Sequence, residues 1–165
     1  MTAACELVEV RSSDQWSAFH RIRETVLFEA RGRHGVYDRQ HPDDFDPRNQ
    51  PLLFVRRGVP IGVVRLDRLG HQRGGVRLVA IDGPSQRKGY GRALMTLVEQ
   101  RAADAGLTIL ELNSAPEAVA FYQRVGWSLV DPNREHPLFE KACASPIPEE
   151  PAGILGISEF RGHNT

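Results

Sequence analysis

The segment Ser85-Gln-Arg-Lys-Gly-Tyr-Gly-Arg-Ala-Leu94 contains three cations and two alternate glycines at the start of a helix-forming run. The apolar run from Val76 to Ile81 precedes it and predicts a strand. A helix begins with unpartnered N–H groups and partial positive charge, so a loop of small residues can wrap those donors around a phosphate. Gly89 and Gly91 suit such a loop because they adopt backbone angles closed to other residues. The spacing alone fits either an anion-binding loop or a plain turn.

Two nucleotide-binding motifs do not fit this stretch. The segment from Gly89 to Leu94 lacks the third small residue of the dinucleotide fingerprint. Lys88 precedes Gly89, and no Gly-Lys-Ser/Thr follows, so a Walker A loop is absent. A phosphate-binding interpretation therefore needs support from elsewhere in the chain.

A second motif further along the chain provides that support. Gln86-Arg-Lys-Gly-Tyr-Gly91 resembles the Q/R-x-x-G-x-G/A signature of the GCN5-related N-acetyltransferase (GNAT) superfamily, and Val79-Ala-Ile81 before it looks like that family's L-A-V strand end. Ala118-Val-Ala-Phe-Tyr-Gln-Arg-Val-Gly-Trp127 resembles the family's A-x-x-F-Y-x-x-x-G-F/W signature, at the usual separation from the first. Both signatures in one chain are less expected by coincidence than either alone. The chain is identified as a member of this superfamily over roughly residues 5 to 141.

The resemblance implies an α/β fold of the α+β type: a mixed six- to seven-stranded sheet, flanked by helices and splayed between its fourth and fifth strands to take acetyl-CoA. It implies that backbone groups bind this co-substrate, the loop at its pyrophosphate and the preceding strand end along its pantetheine arm. A main-chain N–H near Ile81 would face the thioester oxygen, whose charge grows in the tetrahedral intermediate. The cofactor-binding residues so implied are Val79, Ala80, Ile81, Gln86, Arg87, Lys88, Gly89, Tyr90, Gly91, Arg92 and Asn113.

Tyr122 is the catalytic residue that the resemblance implies, as the acid that protonates the leaving thiolate. A phenol with a pKa of about 10 is matched to a thiol with a pKa near 8.5. A buried helical tyrosine with a merely satisfied hydroxyl is the alternative. Asn113 is less defined, because the family's frequent asparagine falls on Ala115 here. Asn113 is therefore either a cofactor contact or a turn former.

No motif identifies the acceptor, which the family implies is a primary amine that attacks directly without an acyl-enzyme. Glu111 and Asp82 are candidate general bases, and each fits a surface carboxylate equally well. The irregular segment from Arg31 to Pro51 either contacts the acceptor or is a solvated loop. Its polar residues include His34, Tyr37, Asp38, His41, Asp43 and Asp44.

Composition excludes several other classes of protein. The 165 residues carry 21 basic and 21 acidic side chains, so no global field predicts nucleic acid or an anionic membrane as a partner. No run approaches the ~18 apolar residues of a membrane span, and the start lacks a basic leader, which predicts a cytoplasmic protein. Cys5 and Cys143 lie far apart without a Cys/His cluster, so no metal is expected.

Periodicity and turn residues predict the remaining elements. Ser12 to Gln15 fits a capping box that opens a helix. A second helix runs to Ala105-Gly106, and a third from Pro116 to Val125. The predicted strands are Cys5–Val10, Leu52–Arg56, Ile61–Leu66, Val76–Ile81 after a Gly-rich turn at 70–75, Leu107–Leu112, Trp127–Val130 and Leu138–Lys141.

We expect residues 1–143 to form the acetyltransferase domain and residues 144–165 to form a Pro-containing tail. This tail would be extended or would pack as an arm on its own domain or on the partner chain of a homodimer. A non-catalytic acyl-CoA-binding or partner-binding module on the same fold is the alternative function. A nucleotide-phosphate protein unrelated to CoA is a third.

Overall fold

An antiparallel meander forms the first half of the sheet in the computed structural model, which describes residues 4–143. Its strands are β1 (Cys5–Glu9), β2 (Asn49–Arg56), β3 (Val59–Gly70) and β4 (Arg73–Ile81). The second half adds β5 (Ile109–Asn113), β6 (Ser128–Asp131) and β7 (Leu138–Ala142), giving the order β1-β2-β3-β4-β5-β7-β6. Among these seven strands of the described residues, only β4 and β5 pair in parallel. The mixed, seven-stranded sheet flanked by helices confirms the predicted fold class.

Three α-helices within residues 4–143 cover the sheet. The first, α1 (Ser13–Arg23), starts with the predicted capping box, in which Gln15 N–H donates to Ser12 Oγ at 3.2 Å. Helix α2 (Tyr90–Asp104) follows the glycine loop, and α3 (Val119–Arg124) follows a 3-10 turn at Pro116–Ala118. After α1 the chain continues through a π-helical turn at Glu24–Phe28 and short 3-10 turns at Glu29–Arg31 and Pro42–Phe45.

Alternation along the strands divides the core into two clusters. Leu52 and Phe54 lie in one buried cluster with α2 and α3, and Leu53 and Val55 lie in the other with α1. Because successive strand residues point to opposite faces, helices cover both faces of the sheet.

The predicted Gly-rich turn before β4 is wrong in part. The turn is His71-Gln72, while Gly74 and Gly75 lie within β4. A Cβ on Gly74 would stand 2.7 Å from side-chain atoms of Leu107 and Leu110, so glycine is needed for close packing here. The composition indicated a turn, but tertiary packing explains this glycine.

β4 separates from β5 in the middle of the sheet. The two strands pair only from Arg73 to Gly75 on β4 and from Ile109 to Glu111 on β5. A β-bulge follows, in which Leu78 has a φ of +58° and the pairing of β4 with β3 shifts register. The sheet therefore opens between its fourth and fifth strands, as the sequence predicts.

The predicted tail, residues 144–165, lies outside the described residues, so the domain boundary stays a prediction. Within residues 4–143, no helix is long and apolar enough to cross a membrane.

Candidate active site

The glycine loop and the start of α2 border a cavity of about 370 Å³. Gly89 is the N-terminal capping residue of α2 and has a φ of +83°, the left-handed conformation that favours glycine. Gly91 serves a different purpose, because a Cβ there would stand 3.2 Å from Cζ of Phe121. One glycine allows the turn, and the other allows α3 to approach α2.

Hydrogen bonds hold the loop against the end of β4. Gln86 Nε2 donates to the carbonyl oxygen of Ile81 at 2.8 Å, and the carboxylate of Asp82 accepts from the Gly83 N–H at 3.1 Å. Arg87 takes a left-handed φ of +61°. The predicted residue Gln86 thus orients the loop through its side chain.

The cavity beside the loop is electropositive although the whole chain is neutral. Arg87, Arg92 and Arg124 line it, and no carboxylate does so within the described part of the chain. The predicted cation Lys88 does not line it. Arg124 was missed by the sequence analysis, although it lies inside the second signature, two residues after Tyr122. The local charge and the helix start suit a phosphate-bearing ligand.

Not every predicted cofactor residue directs its side chain into a cavity. The Tyr90 ring packs 5.5 Å from the Arg56 guanidinium and 6.3 Å from the Phe54 ring. Ala80 is buried in the α1 cluster on the opposite face. Any contact that these two residues make with a ligand in the cavities would therefore use the main chain.

A second cavity, of about 310 Å³, opens where β4 leaves β5. Val79, Leu112, Asn113, Ala118 and Tyr122 are among its lining residues. Like the first cavity, it lies between β4 and α3. The structure thus brings Tyr122 and Asn113 close to the end of β4.

Tyr122 is 8% exposed and packs against the rings of Phe121, Trp127 and Phe139. Burial raises the pKa of its hydroxyl to about 12. No residue from 4 to 143 forms a hydrogen bond with this hydroxyl. This differs from the alternative of a structural tyrosine whose hydroxyl is already satisfied.

A third cavity, of about 370 Å³, lies beside the second and shares Phe28, Val76, Leu78 and Asn113 with it. Of the polar loop residues, His41 and Asp43 line this cavity. Tyr37 instead forms a 2.6 Å hydrogen bond with His20 Nδ1. His34 and Asp38 line none of the three cavities described here.

Asp44, from the same loop, is buried in an ion-pair network. It accepts from Arg23 Nη1 at 2.8 Å and from Arg65 Nη1 at 3.0 Å. Arg65 also donates to both carboxylate oxygens of Asp67, at 2.7 and 2.9 Å. Asp44 therefore fixes the loop to α1 and β3 behind the third cavity.

Both candidate general bases are ion-paired. Glu111 lies 3.3 Å from Arg73 and 3.4 Å from Arg77. The Asp82 carboxylate lies 3.4 Å from Arg21 Nη1 and also accepts the hydrogen bond from the Gly83 N–H. Among the described residues, no group of three His, Cys, Asp or Glu side chains is placed to hold a metal ion.

Solved structures share this fold. An acyl-CoA N-acyltransferase from Pseudomonas aeruginosa superimposes with a TM-score of 0.72 at 18% identity, covering 84% of this chain and 99% of that one. PaiA N-acetyltransferase from Thermoplasma acidophilum, solved in complex with coenzyme A, superimposes with a TM-score of 0.66 at 12% identity. The match covers 84% of this chain and 99% of that one. The splayed sheet therefore defines the acyl-CoA N-acyltransferase fold.

The sequence places the chain within that class. The acetyltransferase (GNAT) family profile matches residues 16–127, and the chain belongs to this family. A curated relative, the uncharacterized protein YyaT of Bacillus subtilis (strain 168), is 27% identical over 112 residues, which are 66% of this chain and 73% of YyaT. Membership assigns the protein to the acetyltransferases as a class.

Proposed function

We propose that the protein moves the acetyl group of acetyl-CoA directly to a primary amine in a ternary complex. The observation that carries the proposal is the separation of β4 from β5 after Gly75. Within the described residues, this leaves the β5-facing edge of Val79–Ile81 without a strand partner. An unpaired strand edge can hydrogen-bond the amides of a pantetheine arm as a neighbouring strand would.

The two cavities between β4 and α3 suit the two ends of the cofactor. The pyrophosphate would receive main-chain N–H groups at the start of α2 and the charges of Arg87, Arg92 and Arg124. Lys88 would add long-range charge from outside the cavity. The pantetheine arm would follow Val79–Ile81 toward the second cavity, where Asn113 and Tyr122 lie.

The reaction needs one bond made and one broken. The lone pair of the neutral amine attacks the acetyl carbon, and main-chain N–H groups near Ile81 stabilise the oxyanion that forms. The C–N bond is then complete, the C–S bond breaks, and the amine loses one proton to solvent. The CoA thiolate leaves and takes up a proton.

Tyr122 is the proton donor in this proposal. Its pKa of about 12 keeps the hydroxyl protonated at neutral pH. The pKa of Tyr122 is thus about 3.5 above that of an ordinary thiol, a larger difference than the reference pKa of a tyrosine predicts. Burial in the folded protein is the cause. Tyr122 would therefore stabilise the thiolate first by a charge-assisted hydrogen bond and transfer the proton as CoA departs.

Two measurements test the proposal. CoA should raise the melting temperature of the protein while ATP should not, because ATP lacks the pantetheine arm that pairs with β4. Acetyl-CoA with a broad panel of amines should release thiol. Tight CoA binding without thiol release on any amine would instead identify a non-catalytic acyl-CoA-binding module, and no shift with CoA would refute the proposed co-substrate.

Tyr122→Phe tests the acid separately. We expect kcat to fall about 10- to 100-fold while the Kd for CoA changes less than about twofold, because the hydroxyl acts on the leaving group and not on the bound cofactor. Tyr37→Phe is the matched control, since Tyr37 lines none of the three cavities. Unchanged turnover by Tyr122→Phe would remove Tyr122 from the mechanism.

A further inference from the structure

The second and third cavities form one groove, which we call the acceptor groove and define as the residues lining either cavity. It reaches from Tyr122 to the loop around Asp43. If acetyl-CoA binds as proposed above, this groove would receive the amine, because it leads to Tyr122. The inference below rests on that proposed function and concerns the chemistry of the amine.

The groove is lined by far more positive than negative charge. Asp43 is the one carboxylate that lines it within residues 4–143. Five arginines line it: Arg23, Arg31, Arg33, Arg65 and Arg77. Arg23, Arg31 and Arg65 are each within 3.0 Å of a carboxylate oxygen that lies outside the lining.

Two of the five arginines have donors to spare. Arg33 has no carboxylate partner in the described part of the chain, and its guanidinium lies 4.9 Å from the Phe28 ring centroid. Arg77 has only a long contact to Glu111, at 3.4 Å from Nη2, and its buried Nη1 has no hydrogen-bond partner. An unsatisfied buried donor costs free energy, and an acceptor oxygen that bonded it would recover that cost.

The sheet is shaped to hold Arg77 in this position. A Cβ on Gly75 would stand 2.9 Å from Cζ of Arg77, so the guanidinium lies flat over a glycine. Arg77 is also two residues before Val79, on the other side of the bulge at Leu78. Arg77 and Val79 both line the acceptor groove.

Besides His41, Asn113, Tyr122 and His136, the uncharged lining is apolar. Leu27, Phe28, Val76 and Leu78 line the groove between its charged ends. Such a surface packs favourably against a hydrocarbon or aromatic side chain, because the contact removes apolar area from water. A chain of repeated amines would meet the arginines instead and would be repelled.

We propose that the acceptor is a small primary amine that carries a carboxylate and an apolar side chain, with Arg77 binding the carboxylate. Polycationic amines are disfavoured by the same charges. Gly75 is a positioning residue for the Arg77 guanidinium.

The test uses two amines that differ only in the carboxylate, phenylalanine and phenethylamine, with spermidine as the polycation. We expect kcat/KM for thiol release to be about 10- to 100-fold higher with phenylalanine than with phenethylamine, and lowest with spermidine. Equal values for the matched pair, or a preference for spermidine, would overturn the inference.

Variants of Arg77 show whether the preference for phenylalanine comes from this residue or from a difference in reactivity between the two amines. Arg77→Gln should lower kcat/KM for phenylalanine about 10- to 100-fold and for phenethylamine at most about threefold. Arg68 is an exposed residue of β3 outside the groove, so Arg68→Gln should leave kcat/KM for both amines unchanged. An equal fall with both amines in Arg77→Gln would contradict carboxylate recognition.

Gly75→Ala displaces the guanidinium without removing its charge. Gly75 has no positive φ, so alanine is compatible with its backbone. We expect the same selective loss with phenylalanine, and a uniform loss with both amines would show a structural role only.

Binding distinguishes this inference from the proposed function. N-acetylphenylalanine, titrated into the CoA-bound protein, should bind the parent and bind Arg77→Gln at least about tenfold more weakly. If no amine released thiol but this Arg77-dependent binding held, transfer would be refuted and carboxylate recognition supported. Binding independent of Arg77 would overturn the recognition.

Discussion

Two glycines that look alike in the loop have different physical roles. A Cβ on Gly89 would meet nothing within 4 Å, so its cost would be the strain of a φ of +83°. Gly91 has no such angle but lies against Phe121. Gly89 therefore shapes the loop, and Gly91 sets the distance between α2 and α3.

We expect Gly89→Val to weaken CoA binding by about tenfold or more, because a β-branched residue is strained by about 1 to 3 kcal/mol in this conformation and the loop amides would turn away. Calorimetric titration with CoA measures the effect. Gly58→Val is the matched control, since Gly58 has a similar φ of +77° in the β2–β3 turn with no atom near an added Cβ. Comparable CoA affinity in both variants would show that the loop does not bind the cofactor.

At the scale of elements, the short turn Pro42–Phe45 is held by one buried side chain. Asp44 is 3% exposed and bonds arginines from α1 and β3, whereas its neighbour Asp43 has a side chain that is 56% exposed. One turn of the loop thus places a buried anchor beside a residue that lines the groove.

Asp44→Asn should lower the free energy of unfolding by about 3 to 5 kcal/mol, because it leaves the buried charge of Arg23 uncompensated. Urea unfolding measures this loss. Asp43→Asn, on the same turn, should change it by less than about 0.5 kcal/mol. Similar losses in the two variants would mean that the buried network does not stabilise the loop.

On the scale of the whole molecule, each of two tyrosines is held neutral by burial. Tyr122 packs among aromatic rings beneath α3, and Tyr37 packs against His20 and Phe28 at the other face. Burial raises the pKa of each hydroxyl from 10 to about 12. The native state therefore keeps two protons that the unfolded chain releases first.

The free energy of unfolding should fall as pH rises from about 10 to about 12, because the stabilisation is fully present below the unfolded pKa and is lost through the folded one. Urea unfolding at intervals from about pH 9 to about pH 11.5 measures the decline. Tyr37→Phe and Tyr122→Phe should each make it shallower. Variants that parallel the parent curve would contradict the burial of these hydroxyls.

Much of the fold could be predicted from local patterns. The capping box at Ser12, the left-handed stop at Gly106 and the order of strands and helices are properties of short segments, and the structure confirms them. The two signatures around Gly89 and Tyr122 were enough to predict the family, which the profile match confirms.

Contacts between distant segments could not be predicted in this way. Gly74 and Gly75 suggested a turn, yet they are strand residues that make room for Leu107, Leu110 and Arg77. Arg124 lines the cavity beside the glycine loop only because α3 packs on α2.

The order of the elements and the family could be predicted from the sequence alone, because both depend on residues a few positions apart. Only the tertiary structure decided the burial of Tyr122 and Asp44 and the charge of the acceptor groove. Burial and pairing depend on which distant segments meet: Arg65 and Arg77 come together from β3 and β4, and Asp43 comes from the loop before them. The position of Arg77 in the acceptor groove, which follows from these contacts, is the basis for proposing a carboxylate on the acceptor.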